Sequence, residues 1–167
     1  ITRLFRDHIL EPRYQYFYTI PWVELGPQIW PDTANGVQFV SIEDQRVIGY
    51  LSCNFNRDTH TAYNVQVINF RFKNSKEFSR DMFRFFDIIY SRFGMNRVVV
   101  SVVVGNPVEK LYDKLAHKFH AGIIGTFHQD VMTPDGVLRD QKYYEVFKAD
   151  FYETIKQTGA GPDSYRK

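Results

Sequence analysis

Cysteine is nearly absent: Cys53 is the only one in 167 residues. A single thiol forms no intrachain disulfide, so the apolar core must hold the fold, and the redox compartment is only weakly constrained. Charge of one sign is lacking too. The formal net charge is +2, with basic residues spread along the chain, which excludes a strong field toward nucleic acid or a membrane surface. No apolar run approaches the roughly 20 residues that cross a bilayer. No leader segment is read, and a cytoplasmic setting is expected. His117 and His120 lie close together, with His128 further on, but no cysteine pair or His-Glu-x-x-His accompanies them, so no metal site is expected. Walker loop, dinucleotide fingerprint and Gly-x-Ser-x-Gly elbow are all missing.

Aromatic residues, by contrast, are plentiful, with 15 Phe and 11 Tyr making most of the 17% aromatic content. They point to a phenylalanine-filled core with tyrosines at its rim, or to a cleft partly lined by aromatics. The length suits one domain with one core, expected over residues 1–158, with a flexible tail over 159–167.

Along the chain, Ile1–Arg6 reads as a short first strand. Pro12 opens a helix whose Tyr14, Phe17 and Tyr18 share a face and which Pro21 stops. Trp22–Pro31 is irregular, broken by Gly26, Pro27 and Pro31. Val37–Ile42, Val47–Phe55 and Ala62–Phe72 then read as an antiparallel meander, with turns at Glu43–Arg46 and Asn56–Thr59.

The stretch from Lys73 to Phe119 organises the rest. Ser75 is an N-cap, and Phe78, Met82, Phe85, Phe86, Ile89 and Phe93 repeat at helical spacing up to Gly94. Arg97–Val104 is nearly continuous valine, the mark of a strand buried on both faces. Pro107 opens another helix, with Val108, Leu111, Tyr112, Leu115 and Phe119 on one side. Gly122–Met132 and Gln141–Phe147 read as a closing hairpin about the Thr133–Gly136 turn, and Asp150–Thr158 as a short helix. The order predicts a mixed α/β or α+β sheet flanked by helices. Each helix start can also bind an anion through its unpaired N–H groups.

Gly94-Met95-Asn96-Arg97-Val98 followed by Gly105-Asn106-Pro107 resembles the core of the GNAT N-acetyltransferase superfamily, nearest in pattern to the branch of ribosomal-protein N-acetyltransferases. Phe119-His120-Ala121-Gly122 and the closing hairpin, with Asp135-Gly136, Asp140, Tyr143, Tyr144 and Asp150-Phe151, are similar to the family ending. The resemblance covers Val37 to Phe151. It implies a twisted, mostly antiparallel mixed sheet whose two central strands splay apart. Acetyl-CoA would be the co-substrate, its pantetheine in that gap along the backbone of Asn69, Phe70 and Arg71. Its pyrophosphate would lie at the next helix start.

At that start the family carries Gln/Arg-x-x-Gly-x-Gly/Ala, whereas this chain has Asn74-Ser75-Lys76-Glu77-Phe78-Ser79 with neither glycine. Glu77 sets a carboxylate near two phosphates unless it turns outward. Arg71, Lys73, Lys76 and Arg80 would compensate by pairing with phosphate oxygens. The plain alternative is a solvated, capped helix start with lysines nearby. Leu111-Tyr112-Asp113-Lys114-Leu115 resembles the family's Leu-Tyr-x-Lys-Leu, where the tyrosine protonates the departing thiolate. A phenol suits that role, although a core tyrosine fits the apolar face equally well. Asn106 would hold a cofactor carbonyl or amide, or cap the helix after it. A general base is harder to place: Asn64, Gln66 and Asn69 cannot act as one, Glu43 and Asp44 read as turn residues, and His120 and His128 read as surface or structural histidines.

The leading expectation is therefore acetyl transfer to a primary amine by direct attack, with Tyr112 as acid. The acceptor would be a small molecule or a protein N-terminus, and the aromatic Leu10–Pro31 segment, with Glu11, Glu24 and Asp32, would face it. The alternatives are a non-catalytic module on the same fold, or transfer of a longer acyl chain lodged among the phenylalanines. No nucleic-acid or membrane partner is expected, and the protein would be a monomer or a homodimer.

Overall fold

The computed structural model describes residues 1–9, 11, 16, 34–71 and 75–159. The helix read from Pro12 to Pro21, the tryptophan segment and most of the acceptor-side stretch, Lys73 and Asn74, and the tail past residue 159 lie outside the described residues.

The first element corrects the sequence reading. Thr2–Ile9 is a helix, α1, where a strand is expected. Ile1, Leu4, Phe5 and His8 recur at helical spacing, and a strand of six residues needs a sheet neighbour that this end of the chain does not find. Phe5 packs edge-on against Tyr50 and Phe70 at 5.6 and 5.5 Å, making a small cluster with Ile68.

The meander is as read. Strands β1 (Gly36–Glu43), β2 (Arg46–Asn56) and β3 (Thr61–Asn69) pair antiparallel in sequence order. Helix α2 (Lys76–Ser91) crosses to β4 (Arg97–Val103), and helix α3 (Glu109–Lys118) leads to the hairpin of β5 (Gly122–Met132) and β6 (Leu138–Phe147). Helix α4 (Lys148–Thr158) follows and ends at Gly159, whose φ of 62° is the left-handed closing conformation. The six strands form one sheet in the order β1-β2-β3-β4-β6-β5, antiparallel except between β3 and β4.

Three boundaries and one burial pattern differ from the expected ones, the last strand beginning at Leu138 rather than Gln141 because the turn before it ends at Val137. The third strand ends at Asn69 rather than at residue 72, because Phe70 and Arg71 enter a turn closed by Arg71 N–H donating to Asn69 Oδ1 at 2.9 Å. The helix expected from Pro107 begins at Glu109, since Pro107 and Val108 form a turn hydrogen-bonded to Asn106. Strand β4 alternates rather than being buried throughout. Val98, Val100 and Val102 are buried, whereas Val99 and Ser101 are half-buried on the reverse face.

The main core lies on one face of the sheet. Leu51, Cys53, Val65, Val98 and Val100 meet Phe85, Ile89 and Tyr90 of α2, Ala116 of α3 and Phe151 of α4. Helix α1 packs on the reverse face, over Tyr50 and Ile68.

Candidate functional site

The feature that makes a site is a defect in the sheet. β3 and β4 pair only at Thr61 with Arg97 and Ala62 with Val98, and then separate. A register shift between Ser52 and Asn54, with Asn64 at φ 51°, puts a bulge in β3 just beyond that point. Bulges sharpen strand twist, and asparagine tolerates the left-handed conformation. The closed end is clamped: Arg97 donates to Thr61 Oγ1 at 3.3 Å and pairs with Glu145 at 3.2 Å.

The parting strands leave a cavity of about 560 Å³, within the range of small-molecule sites, roughly 300–1,000 Å³. Asn69 at the end of β3, Ser75 and Ser79 at the start of α2 and Asn106 ahead of α3 all border it. Val65, Val67, Val100 and Val102 line the gap between the strands, and α2 and α3 form its walls. None of the described residues lining it is charged, and none is a histidine.

Six of the expected site residues border this cavity: Asn69, Ser75, Phe78, Ser79, Asn106 and Tyr112. Phe70, Arg71, Lys76 and Arg80 do not. Phe70 is buried under α1, and Lys76 is exposed at the helix start. Arg71 pairs with Glu43, and Arg80 pairs with Glu77 while its Nε is buried without a hydrogen bond. Two of the cations read as phosphate ligands thus already hold carboxylates.

Glu43 in turn is more than the turn residue it resembles. It ends β1, pairs with Arg71 and accepts a hydrogen bond from Ser75 Oγ at 3.2 Å. Ser75 caps α2 as expected, accepting from Phe78 N–H at 3.1 Å, a bond typically worth about 1 kcal/mol. The cap leaves the earliest N–H groups of the helix without intrahelical partners. Phe78, at the same end, lies over Gly49, where a Cβ would come within 2.3 Å of its ring.

On the other wall, Asn106 does not cap α3, whose N-cap is Val108 with no side-chain cap; its Oδ1 accepts from Val108 N–H at 3.0 Å and holds the preceding turn. Tyr112 lies beside Tyr144, ring centroids 5.9 Å apart. Tyr144 escaped the sequence reading as a site residue, although the hairpin motif contains it. Its hydroxyl donates to Asp113 at 2.8 Å, and Lys142 pairs with the same carboxylate at 2.6 Å. Burial, then the hydrogen bond to Asp113, raises the Tyr144 pKa well above the ordinary phenol value. The Lys142 contact lowers that of Asp113. Of the two tyrosines, Tyr144 is therefore held as a fixed neutral donor.

Toward the reverse face lies a polar group of which the sequence reading weighs only Gln66, as a residue that cannot act as a base. Ser101 of β4 accepts a hydrogen bond from Gln141 Nε2 at 2.8 Å, and Gln66 of β3 stands 3.4 Å from Ser52. Gln66 and Gln141 are buried uncharged amides bordering the gap. Gln66 shows in the sequence as a polar residue between two valines, whereas Gln141, between Asp140 and Lys142, carries no such signal. His128 pairs with Asp140 on the exposed side of β5, and neither it nor His120 lines the cavity. Among the described residues no group of His, Cys, Asp and Glu has metal-binding geometry, and no helix is long and apolar enough to cross a membrane.

No family model matches this chain, and no curated protein matches it. Solved structures do. Two provisionally named acetyltransferases align with TM-scores of 0.62 and 0.59 at 16% and 17% identity, over 76% and 70% of this chain. The chain spans 64% of each of those two, less than two thirds of their length. Spermidine N-acetyltransferase SpeG from Vibrio cholerae, in complex with CoA and spermine, aligns with a TM-score of 0.59 at 19% identity, over 71% of this chain and 69% of its own. The fold is that of these acetyltransferases, with its six-stranded sheet and flanking helices.

Proposed function

We propose that the protein moves the acyl group of a CoA thioester, acetyl in the first instance, onto a primary amine. The observation that carries this reading is the parting of β3 and β4 after two paired residues, with the start of α2 at the open end. A strand edge released from its neighbour offers backbone N–H and C=O groups to the two amides of a pantetheine arm. The Val65–Asn69 edge of β3 has that position. The helix start offers N–H groups and partial positive charge to phosphate.

The residues fit the thioester end better than the phosphate end. In direct attack the amine nitrogen bonds to the thioester carbon, and collapse of the tetrahedral adduct breaks the C–S bond. Tyr112, on the cavity wall, would give its proton to the departing sulfur. The described lining holds no carboxylate or histidine, so the amine would attack as the neutral base, and the proton its nitrogen sheds in the adduct would pass to water and through water back to the Tyr112 phenolate. Gln66, Ser101 and Gln141 are the groups able to hold such a water or orient the amine. The structure of SpeG with CoA and spermine supports an amine acceptor of some kind. The Gly94–Val98 and Gly105–Pro107 motifs favour the ribosomal-protein-like branch and so a protein N-terminus.

A second reading, a binding module that no longer catalyses, is favoured by one observation. Glu43 and Glu77 stand at the helix start, paired with Arg71 and Arg80. Calorimetric titration with CoA and acetyl-CoA, followed by thiol-release assays on peptides and polyamines, separates the two. Binding with amine-dependent thiol release is expected. Absence of binding at millimolar CoA would overturn the acyltransferase reading.

A further inference from the structure

We propose that the site is built for an acyl chain of about eight to ten carbons. This rests on the acyltransferase reading above and concerns the depth of the same cavity. The lining of α2 runs from Ser75 to Tyr90, fifteen residues or about 22 Å of helix at ~1.5 Å per residue. On that helix the groups for a pantetheine arm, Ser75 and Ser79, stand at its start.

Past Ser79 on α2 the lining residues are Met82, Phe83, Phe86 and Tyr90, and past Tyr112 on α3 they are Leu115, Ala116 and then Phe119. The inner end is enclosed by Phe83, Phe86 and Tyr90 of α2, Phe119 at the end of α3, and Val146 and Phe151. These rings touch one another: Phe119 stacks on Phe151 at 5.9 Å, and Tyr90 meets Phe151 at 5.1 Å. Tyr90 is fully buried behind them, and its hydroxyl is used up in a 2.8 Å bond to the Val146 carbonyl, so it offers the cavity no polar group. An amide placed there would lose its water without gaining a partner. A hydrocarbon chain would lose nothing and fill a void.

The length available agrees. From Tyr112 to Phe119 along α3 is seven residues, about 10 Å at ~1.5 Å per residue. At roughly 1.3 Å of extension per carbon–carbon bond, projected from bonds of ~1.5 Å, that holds about eight bonds. An acetyl group at Tyr112 would leave the inner end empty. Ala116, one turn past Tyr112 on the same wall, is the small buried residue of α3 that borders the cavity.

The test is calorimetry on the whole chain with CoA, acetyl-, hexanoyl- and decanoyl-CoA, each below its micellar concentration. Affinity is expected to rise by about fourfold per added methylene, the equivalent of ~0.8 kcal/mol, until the chain reaches the aromatic end. Ala116→Leu should cut the decanoyl-to-acetyl affinity ratio by at least about tenfold, as a branched side chain intrudes on the cavity. Equal affinity for acetyl- and decanoyl-CoA would overturn the chain-length proposal and leave the acyltransferase reading standing. A decanoyl gain undiminished in a folded Ala116→Leu would also overturn it, because the chain would then lie elsewhere. If Ala116→Leu does not fold, the chain-length series on the natural sequence decides. Failure of every CoA species to bind would instead overturn the underlying reading.

Discussion

A Cβ on Gly49 would lie 2.3 Å from Cε2 of Phe78 and 2.9 Å from the Ile68 carbonyl oxygen, so the Phe78 ring rests on β2 only because position 49 is glycine. Phe78 is buried in the first turn of α2 and borders the cavity. One glycine therefore sets how closely the helix start approaches the sheet.

Gly49→Ala should accordingly destabilise the protein by about 1–3 kcal/mol, the usual cost of overpacking. Adding Phe78→Leu should restore part of the loss, because the residues are in contact and their effects do not add. Urea denaturation of both single variants and the double variant measures this. An unaltered midpoint in Gly49→Ala would show that the ring has somewhere else to go.

Tyr112 and Tyr144 lie side by side but should respond differently to loss of the hydroxyl. Tyr112→Phe is expected to slow turnover by ~100-fold, the lower range for general acid catalysis, with CoA affinity nearly unchanged. Tyr144→Phe breaks the bond to Asp113 and should cost about 1 kcal/mol of stability. Steady-state kinetics with denaturation curves separates the two roles. Full turnover in Tyr112→Phe would remove that residue from the chemistry.

The helix start carries its own test. Glu43→Gln and Glu77→Gln release Arg71 and Arg80 from their carboxylates. Each should tighten CoA binding by about 0.3–1 kcal/mol at low ionic strength, an effect that fades with added salt. Lys76→Glu should act in the opposite sense. If none of these variants moves the dissociation constant, the pyrophosphate does not bind at this helix start.

Alkaline pH should weaken the fold through its buried phenols. Burial first, then a hydrogen bond to Asp87, raises the Tyr152 pKa from 10.0 to about 12. Burial raises Tyr90 and Tyr144 as well. Between pH 10 and 12 the unfolded chain has lost phenolic protons that the folded chain keeps, so stability falls as pH rises through that window. Below pH 10 the contribution is fully present. Thermal denaturation from pH 8 to 12 should show the decline, with a shallower slope in Tyr152→Phe. An identical slope in that variant would mean that Tyr152 does not titrate as its surroundings require.

Legibility in the sequence followed how local the cause was. The period-two pattern of Val37–Ile42 and the helical spacing of Phe78, Met82, Phe85 and Ile89 are written in adjacent residues, and both elements form where expected. Thr133-Pro134-Asp135-Gly136 closes its turn through Gly136 N–H and the Thr133 carbonyl at 2.8 Å. Thr2–Ile9 carries a helical period as well, but its adjacent Leu-Phe pair suits a short strand equally, and only the contact of Phe5 with Tyr50 and Phe70 shows what that face is for.

The site was legible where a motif names a residue and illegible where two distant segments meet. Ser75 and Asn106, which border the cavity, could be picked out because helix starts are local, and Tyr112 because Leu111–Leu115 resembles a family motif. Glu43 could not: it lies 32 residues from Ser75 in sequence, and nothing in its turn-like neighbours predicts that it reaches the start of α2. Gln141 and Ser101, 40 residues apart, meet for the same kind of reason.

The sequence by itself determined the periodicities, caps and turns, because those depend on backbone geometry over a few residues. It therefore determined the order of strands and helices from Gly36 onward. Only the tertiary structure decided that β3 and β4 part after two pairs, which carboxylates hold Arg71 and Arg80, and that the inner end of the gap closes with rings from three different helices. Those outcomes depend on long-range packing and on a single bulge at Asn64, whose effect on its neighbours is felt across the sheet rather than along the chain.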